Sequence, residues 1–131
     1  PAGDPETVRV LLVDDDPDLA ALVKAYVERE YADIEVAIAN SVPEAVSTLG
    51  AASFDCIVSD YKMPALSGLD FLRTVRDVDP TIPFLLFTAR GNEATASEAI
   101  AAGVTDYVRK GSELDHYDEL VERIRSAVDW V

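Results

Sequence analysis

The residues best suited to chemistry are polar groups standing where apolar runs end. Asp14, Asp15 and Asp16 follow the run Val8–Val13, and Asp60 follows the apolar stretch 54–59. Thr88 closes another such run at 84–87, and Lys110 lies just beyond a short one at 105–108. Carboxylates gathered at short range repel, so at least one is driven toward its protonated form unless a cation intervenes. Oxygen donors with no His or Cys beside them suit Mg2+ (or Mn2+), which takes one or two carboxylates, several waters and a phosphate oxygen. A carboxylate in such a place can accept a phosphoryl group as an aspartyl-phosphate. The transferring group spreads negative charge over its equatorial oxygens, so positioning and cation clamps supply most of the catalysis. Mg2+ and the Lys110 ammonium would be those clamps, with Thr88 donating its hydroxyl to a phosphoryl oxygen. Asp16 fits a different duty, capping a helix that begins at Pro17. Asp60 fits capping poorly, because it precedes Tyr61-Lys62-Met63-Pro64 rather than a helix start.

The elements that must bring these groups together alternate five times. The run Val8–Val13 is β-branched and nearly continuous, as in a strand covered on both faces. Leu19, Leu22, Val23, Tyr26 and Val27 then recur at helical spacing and form one apolar face. A second strand near residues 34–39 leads to Ser41-Val42-Pro43-Glu44, a capping box with Pro inside it. The helix behind it turns Ala45, Val46 and Leu49 inward and stops near Gly50. The third strand covers 54–59, and Ser67-Gly68-Leu69-Asp70 opens a helix that faces Leu69, Leu72 and Val75 to the core. Pro83 starts the fourth strand, where its missing N–H matters least. An Ala-rich helix over about 92–102 ends at Gly103, a fifth strand covers 105–108, and a last helix spans about 116–128. Strict alternation implies right-handed crossovers, a parallel sheet and helices on both faces. In such sheets ligands lie outside the carboxyl ends of the strands, at the topological switch point. Asp14, Asp60, Thr88 and Lys110 should therefore converge on one rim.

These residues resemble the receiver domains of response regulators from two-component systems, over nearly the whole chain from Val8 to about Val128. Val13-Asp14-Asp15-Asp16-Pro17 is similar to that family's acidic pair after the first strand. Asp60-Tyr61-Lys62-Met63-Pro64, with Gly68 beyond it, is similar to the phosphoacceptor motif. Thr88-Ala89 resembles the switch threonine with its small neighbour, and Tyr107-Val108-Arg109-Lys110 the switch aromatic and the lysine. The resemblance implies a flavodoxin-like (βα)5 doubly wound parallel sheet of order 2-1-3-4-5, one receiver domain over residues 1–131 with its core at about 8–128. It implies phosphorylation of Asp60 by a sensor histidine kinase. Asp15 and Asp60 would bind Mg2+ directly, Asp14 mainly through a water, and Lys62 through its backbone carbonyl. Thr88 and Lys110 would hold phosphoryl oxygens. Tyr107 would rotate inward as Thr88 moves, altering the face built from the fourth helix, fifth strand and fifth helix. An output domain or downstream signalling protein would read that change, with a phosphorylation-dependent dimer as one outcome. Chemistry would be confined to self-phosphorylation and slow autodephosphorylation.

The family usually follows its lysine with a cis proline, whereas Gly111 follows Lys110 here. A cis bond before a non-proline residue costs about 2.5–4 kcal/mol, so the bond is expected either trans or strained, and the loop to the last helix is expected to differ. Lys62 and Arg90 each lie two residues past a motif residue, Asp60 and Thr88. In the family such positions tune phosphate lifetime, so two cations imply a slowly hydrolysed phosphate; the plainer alternative is a pair of solvated rim side chains. A phosphatase of the haloacid-dehalogenase type would want Asp where Lys62 stands. A pseudo-receiver, keeping the fold without phosphorylation, is the alternative of another class, and the intact acids, threonine and lysine argue against it.

Composition bounds the partners. Among 131 residues, 25 acids face 11 Lys and Arg, a net charge of -14. Such a surface repels nucleic-acid phosphates and anionic lipid, so no direct nucleic-acid or membrane partner is expected. The acid excess suggests a halophilic archaeal source, where salt screens self-repulsion. Apolar runs are too short to cross a bilayer, and residues 1–6 lack a signal peptide's apolar stretch. Cys56 is the single cysteine, which excludes an internal disulfide and fits a buried thiol in a reducing cytoplasm. His116, the one histidine, reads as a surface residue, and Tyr26, Tyr31 and Tyr117 as packing residues. Trp130 docks on the domain or begins a linker. The six glycines form no phosphate-binding nucleotide loop.

Overall fold

The computed structural model describes residues 7–63, 66–88, 93–110 and 115–128. Ten elements alternate along it: β1 (Val8–Val13), α1 (Pro17–Glu30), β2 (Ile34–Ala39), α2 (Val42–Ala51), β3 (Cys56–Ser59), α3 (Gly68–Val78), β4 (Phe84–Thr88), α4 (Glu93–Ala101), β5 (Asp106–Arg109) and α5 (Asp115–Val128). The strands pair in parallel in the order β2-β1-β3-β4-β5. The parallel pairing is what the alternation led to, and the order is the flavodoxin-like one that the resemblance implied.

Each strand divides its side chains between two cores, because successive residues point to opposite faces. Val10 and Leu12, Cys56 and Val58, Leu85 and Phe87, and Val108 pack with α1 and α5. Leu11 and Val13, Ile57, and Phe84 and Leu86 pack with α2, α3 and Ala99 of α4. Burial on both faces explains why β1, β3 and β4 read as nearly continuous apolar runs.

The helix starts follow their capping residues. Asp16 Oδ1 accepts from the N–H groups of Asp18 and Leu19, with Pro17 first in α1. Ser67 and Asp70 form a reciprocal capping box at α3. At α2 the expected box is altered: Ser41 Oγ accepts from the Glu44 N–H, but the Glu44 carboxylate takes the N–H of Asn40 rather than that of Ser41. α2 ends at Ala51, one residue past Gly50 and close to the expected stop. Gly103, at φ +94°, does close α4, and Val104 N–H reaches back to the Ala99 carbonyl.

Two helix faces differ from expectation. Leu22 of α1 and Val46 of α2 are exposed rather than inward, at 53% and 48%. Each helix buries only the stripe that meets the sheet: Ala20, Val23 and Val27 in α1, and Val42 and Ala45 in α2. Neighbouring apolar residues fall outside that stripe. In α5, Tyr117, Leu120, Val121 and Ile124 are buried as expected. Tyr26 and Tyr31 do more than pack, since both hydroxyls donate to Asp118 Oδ1 at 2.8 and 2.6 Å. Arg125 grips Asp33 with both terminal nitrogens at 2.6 and 2.7 Å, tying α5 to the turn before β2. His116 is half-buried, and its Nδ1 has no hydrogen-bond partner among the described residues. No helix among the described residues is long and apolar enough to cross a membrane.

Candidate functional site

Strand register assembles the rim. Val13 pairs with Ala39 on one side and Ser59 on the other, so Asp14 and Asp60 leave adjacent strands at the same level. The Asp60 N–H donates to the Val13 carbonyl at 2.9 Å. On the far side Thr88 pairs with Arg109, and the Lys110 N–H donates to the Thr88 carbonyl at 2.8 Å. The site therefore draws on the ends of β1, β3, β4 and β5, as the strand-end rule requires.

Asp14 is buried, and Lys110 Nζ lies 2.6 Å from its Oδ2. The same ammonium lies 3.4 Å from Asp60 Oδ2 and 5.6 Å from the centre of the Phe87 ring. Asp60 Oδ1 accepts the Tyr61 N–H at 2.8 Å. Burial pushes the Asp60 carboxyl up from its ordinary range; Lys110 pulls it down, and the neighbouring Asp14 adds to the rise. Asp14, Asp15 and Asp60 each bring one carboxylate oxygen within 4.8 Å of the others. Three hard oxygens from one buried, one exposed and one half-buried residue, open to solvent on the Asp15 side, fit a divalent ion that keeps part of its water shell.

The backbone around Asp60 is fixed from two directions. Ser59, fully buried, donates its hydroxyl to the Asp60 carbonyl at 2.9 Å. Gly68, first residue of α3, lies so close that a Cβ built on it would sit 2.1 Å from that same carbonyl oxygen. Its N–H donates to the Tyr61 carbonyl at 2.6 Å. Only a residue without a side chain lets α3 begin this close to the turn after β3.

The remaining expected residues are placed as follows. Thr88 is buried at the end of β4. Tyr107 is half-buried in β5, packed against the α2–α3–α4 core on the face opposite Phe87, and burial raises its phenol above the ordinary value. Lys62 is exposed two residues past Asp60, and Cys56 is fully buried, its thiol pushed up by desolvation. Pro64, Ala89, Arg90, Gly111 and Trp130 lie outside the described residues, and with Gly111 the geometry of the Lys110–Gly111 bond. Sequence reasoning passed over Ser59, Phe87 as a ring beneath Lys110, and Asn40, whose Nδ2 donates to the Asp14 carbonyl at 2.9 Å. The one signal for Asn40 is its place immediately after an edge strand, directly across from the acidic residues.

A family profile described as "Response regulator receiver domain" matches residues 10–125. The transcriptional regulatory protein TrcR of Mycobacterium tuberculosis is 38% identical over 123 residues, covering 94% of this chain and 46% of TrcR. The response regulator protein PilR of Pseudomonas aeruginosa is 34% identical, covering 86% of this chain and 25% of PilR. The chain thus spans less than half the length of these curated relatives. Among solved structures, the receiver domain of Francisella response regulator 1452 aligns with a TM-score of 0.83 at 28% identity, covering 94% of this chain and 98% of that one. TrrA of Thermotoga maritima, solved in complex with Mg2+-BeF, aligns at 0.77 and 26% identity, covering 90% and 99%.

Proposed function

Because the chain belongs to the response regulator receiver domain family, we propose that it accepts a phosphoryl group on Asp60 from a histidine kinase and signals by changing shape. It is a receiver of two-component signalling, a signalling domain rather than an enzyme with turnover as its purpose. The observation that carries the site assignment is the convergence of Asp14, Asp15, Asp60 and Lys110 at one rim. Residues 8–128 act as one receiver unit in this reading.

In the transfer, an Asp60 carboxylate oxygen forms a bond to phosphorus as the bond from phosphorus to the donor imidazole nitrogen breaks. The bonding pair returns to the imidazole, and the product is a mixed anhydride on Asp60. Oδ1 is steadied by the Tyr61 N–H, while Oδ2 faces Lys110. Lys110, now shared between Asp14 and Asp60, would follow the incoming negative charge, and Thr88 would donate to a phosphoryl oxygen. Asp14, Asp15 and Asp60, with the Lys62 carbonyl, would hold Mg2+, which supplies charge neutralisation for the phosphoryl oxygens. TrrA, a protein of this fold, was solved in complex with Mg2+-BeF, which supports Mg2+ as the ion; the grouping of Asp14, Asp15 and Asp60 supports the acids as its donors. Tyr107 would follow Thr88 inward and alter the α4–β5–α5 face.

The longer relatives support an output segment reading that face; in this reading a separate signalling protein is the other recipient, the domain works in the cytoplasm, and dimerisation on phosphorylation is one output. Lys62 and Arg90 are read as slowing hydrolysis of the phosphate. Adaptation to a salty interior rests on the acid excess alone. The pseudo-receiver reading is not favoured, since the acids and lysine assemble. Incubation with Mg2+ and acetyl phosphate, followed by intact mass measurement, tests the assignment: one phosphoryl group is expected on the parent and none on Asp60→Asn. Equal labelling of both proteins would remove Asp60 from its role.

A further inference from the structure

We propose that Asn40 is a positioning residue for the metal site, holding the acidic turn after β1 in the conformation that aims Asp14 at the ion. The inference rests on the phosphoacceptor reading only in taking Asp14, Asp15 and Asp60 as the ion's ligands.

Asp14 is fixed at four atoms. Its N–H donates to the Ala39 carbonyl at 3.0 Å, and its carbonyl accepts from Asn40 Nδ2 at 2.9 Å. Its Oδ1 accepts the Asp16 N–H at 2.9 Å, and its Oδ2 faces Lys110. The two backbone contacts both come from the end of β2, and they clamp the residue at which β1 stops being a strand. The Ala39 contact continues the β1–β2 ladder and needs no particular side chain. The Asn40 contact is made by a side chain beyond the ladder, so it alone depends on residue type. Asn40 is itself anchored, because its N–H donates to Glu44 Oε2 in the first turn of α2.

An amide is the group this position requires. The Asp14 carbonyl needs a donor, and a carboxylate offers none while adding charge near three acids. A longer amide would have to fold back, since Asn40 stands directly across from Asp14. Loss of the donor frees rotation of the peptide plane after Asp14, which also carries the N–H of Asp15, a second ligand. Two of the three oxygens then lose their fixed spacing. Partners that orient metal ligands from behind typically set about 10- to 100-fold in metal affinity. The effect should fall on ion binding rather than on the bond-forming step, because Asn40 touches neither Asp60 nor Lys110 in the contacts that fix them.

The test compares the parent, Asn40→Ala and Val42→Ala by calorimetric titration with Mg2+ and by acetyl phosphate labelling across a Mg2+ series. Val42 is buried at the start of α2, so its truncation loosens the same neighbourhood while leaving the amide in place. Asn40→Ala should raise the Mg2+ dissociation constant about tenfold, with the labelling rate at saturating Mg2+ within about twofold of the parent. Val42→Ala should lower the melting temperature without moving the Mg2+ constant. An unchanged constant in Asn40→Ala, or an equal shift in Val42→Ala, would overturn the proposal. A parent that binds Mg2+ yet takes no phosphoryl group would sink the phosphoacceptor reading while the titration still decides on Asn40; a parent that binds no Mg2+ would overturn both.

Discussion

At the scale of single residues, the chemistry of the rim is held in tension by burial. Asp60 ionises less readily in the fold than free in water, since desolvation and Asp14 outweigh Lys110. A carboxyl whose folded pKa is raised stabilises the fold below its unfolded pKa and loses that contribution as pH rises through the folded pKa. At neutral pH, without Mg2+, the ionised Asp60 therefore works against folding. Asp60→Asn should melt higher than the parent at pH 7, and the difference should vanish in the acid range where the parent carboxyl is protonated. Thermal melts of both proteins in chelator from pH 7 down to pH 4 would check this; a parent that is the more stable at pH 7 would contradict it. Gly68 is the second case. A methyl group there meets the Asp60 carbonyl at 2.1 Å, so Gly68→Ala should cost about 1–3 kcal/mol through forced backbone shifts, read by urea unfolding, and should slow acetyl phosphate labelling as well. The sequence flagged both residues, Asp60 by its place after a buried strand and Gly68 only by resemblance. The contact that makes Gly68 necessary joins two segments whose approach no spacing encodes.

At the scale of elements, the strand–helix alternation and the helix starts were legible because local chemistry specifies them, whereas the strand order came only with the family resemblance. Asp16-Pro17 and Ser67-x-x-Asp70 mark α1 and α3 by satisfying the free N–H groups of a first turn. Which apolar residues of a helix face inward was less legible. Leu22 and Val23 are adjacent and both fit the apolar periodicity, yet Val23 shares the buried stripe of Ala20 and Val27 while Leu22 is left in solvent. The α1–α5 seam was hidden for a similar reason: Tyr26 and Tyr31 read as packing residues, and nothing in the sequence marks Asp118 until the fold joins it to them. Asp118 takes two phenol hydroxyls, and its acceptance of the Tyr31 hydrogen bond pushes that phenol up to about 12. Removing the acceptor takes away the carboxylate to which the half-buried Tyr31 hydroxyl donates, so Asp118→Ala should cost about 1–3 kcal/mol. Adding Tyr31→Phe should recover part of that loss, because the stranded hydroxyl goes with its partner. Urea unfolding of the two single variants and the double variant measures the coupling; additive losses would mean the two groups act independently.

At the scale of the whole molecule, the -14 charge makes ions part of the stability of the fold, in two separable ways. The first is specific. An ion that binds the folded acid cluster and not the unfolded chain stabilises by about 2.7 kcal/mol at 100 times its dissociation constant. Mg2+ should therefore raise the melting temperature at fixed ionic strength, and the rise should shrink in Asp15→Asn. Identical melts with and without Mg2+ would mean that the cluster holds no such ion.

The second is diffuse. Among the described residues Asp14 is the one buried acid, and several cations are already committed to pairs, among them Arg125 with Asp33 and Arg123 with Asp106. The residual repulsion acts over a Debye length that falls from about 10 Å at 0.1 M salt to about 3 Å at 1 M. Compaction brings like charges closer than they are in the unfolded chain, so screening favours the folded state. Salt also weakens the surface pairs, but an exposed pair contributes only about 0–1 kcal/mol, and the acid excess leaves more repulsion than attraction to screen. The melting temperature should thus rise steadily from millimolar to molar KCl, in chelator, and the rise should persist in Asp60→Asn because it does not depend on the rim. A melting temperature flat across that range would show that the acid surface is already relieved within the fold, and with it would go the reading of the charge excess as an adaptation to salt.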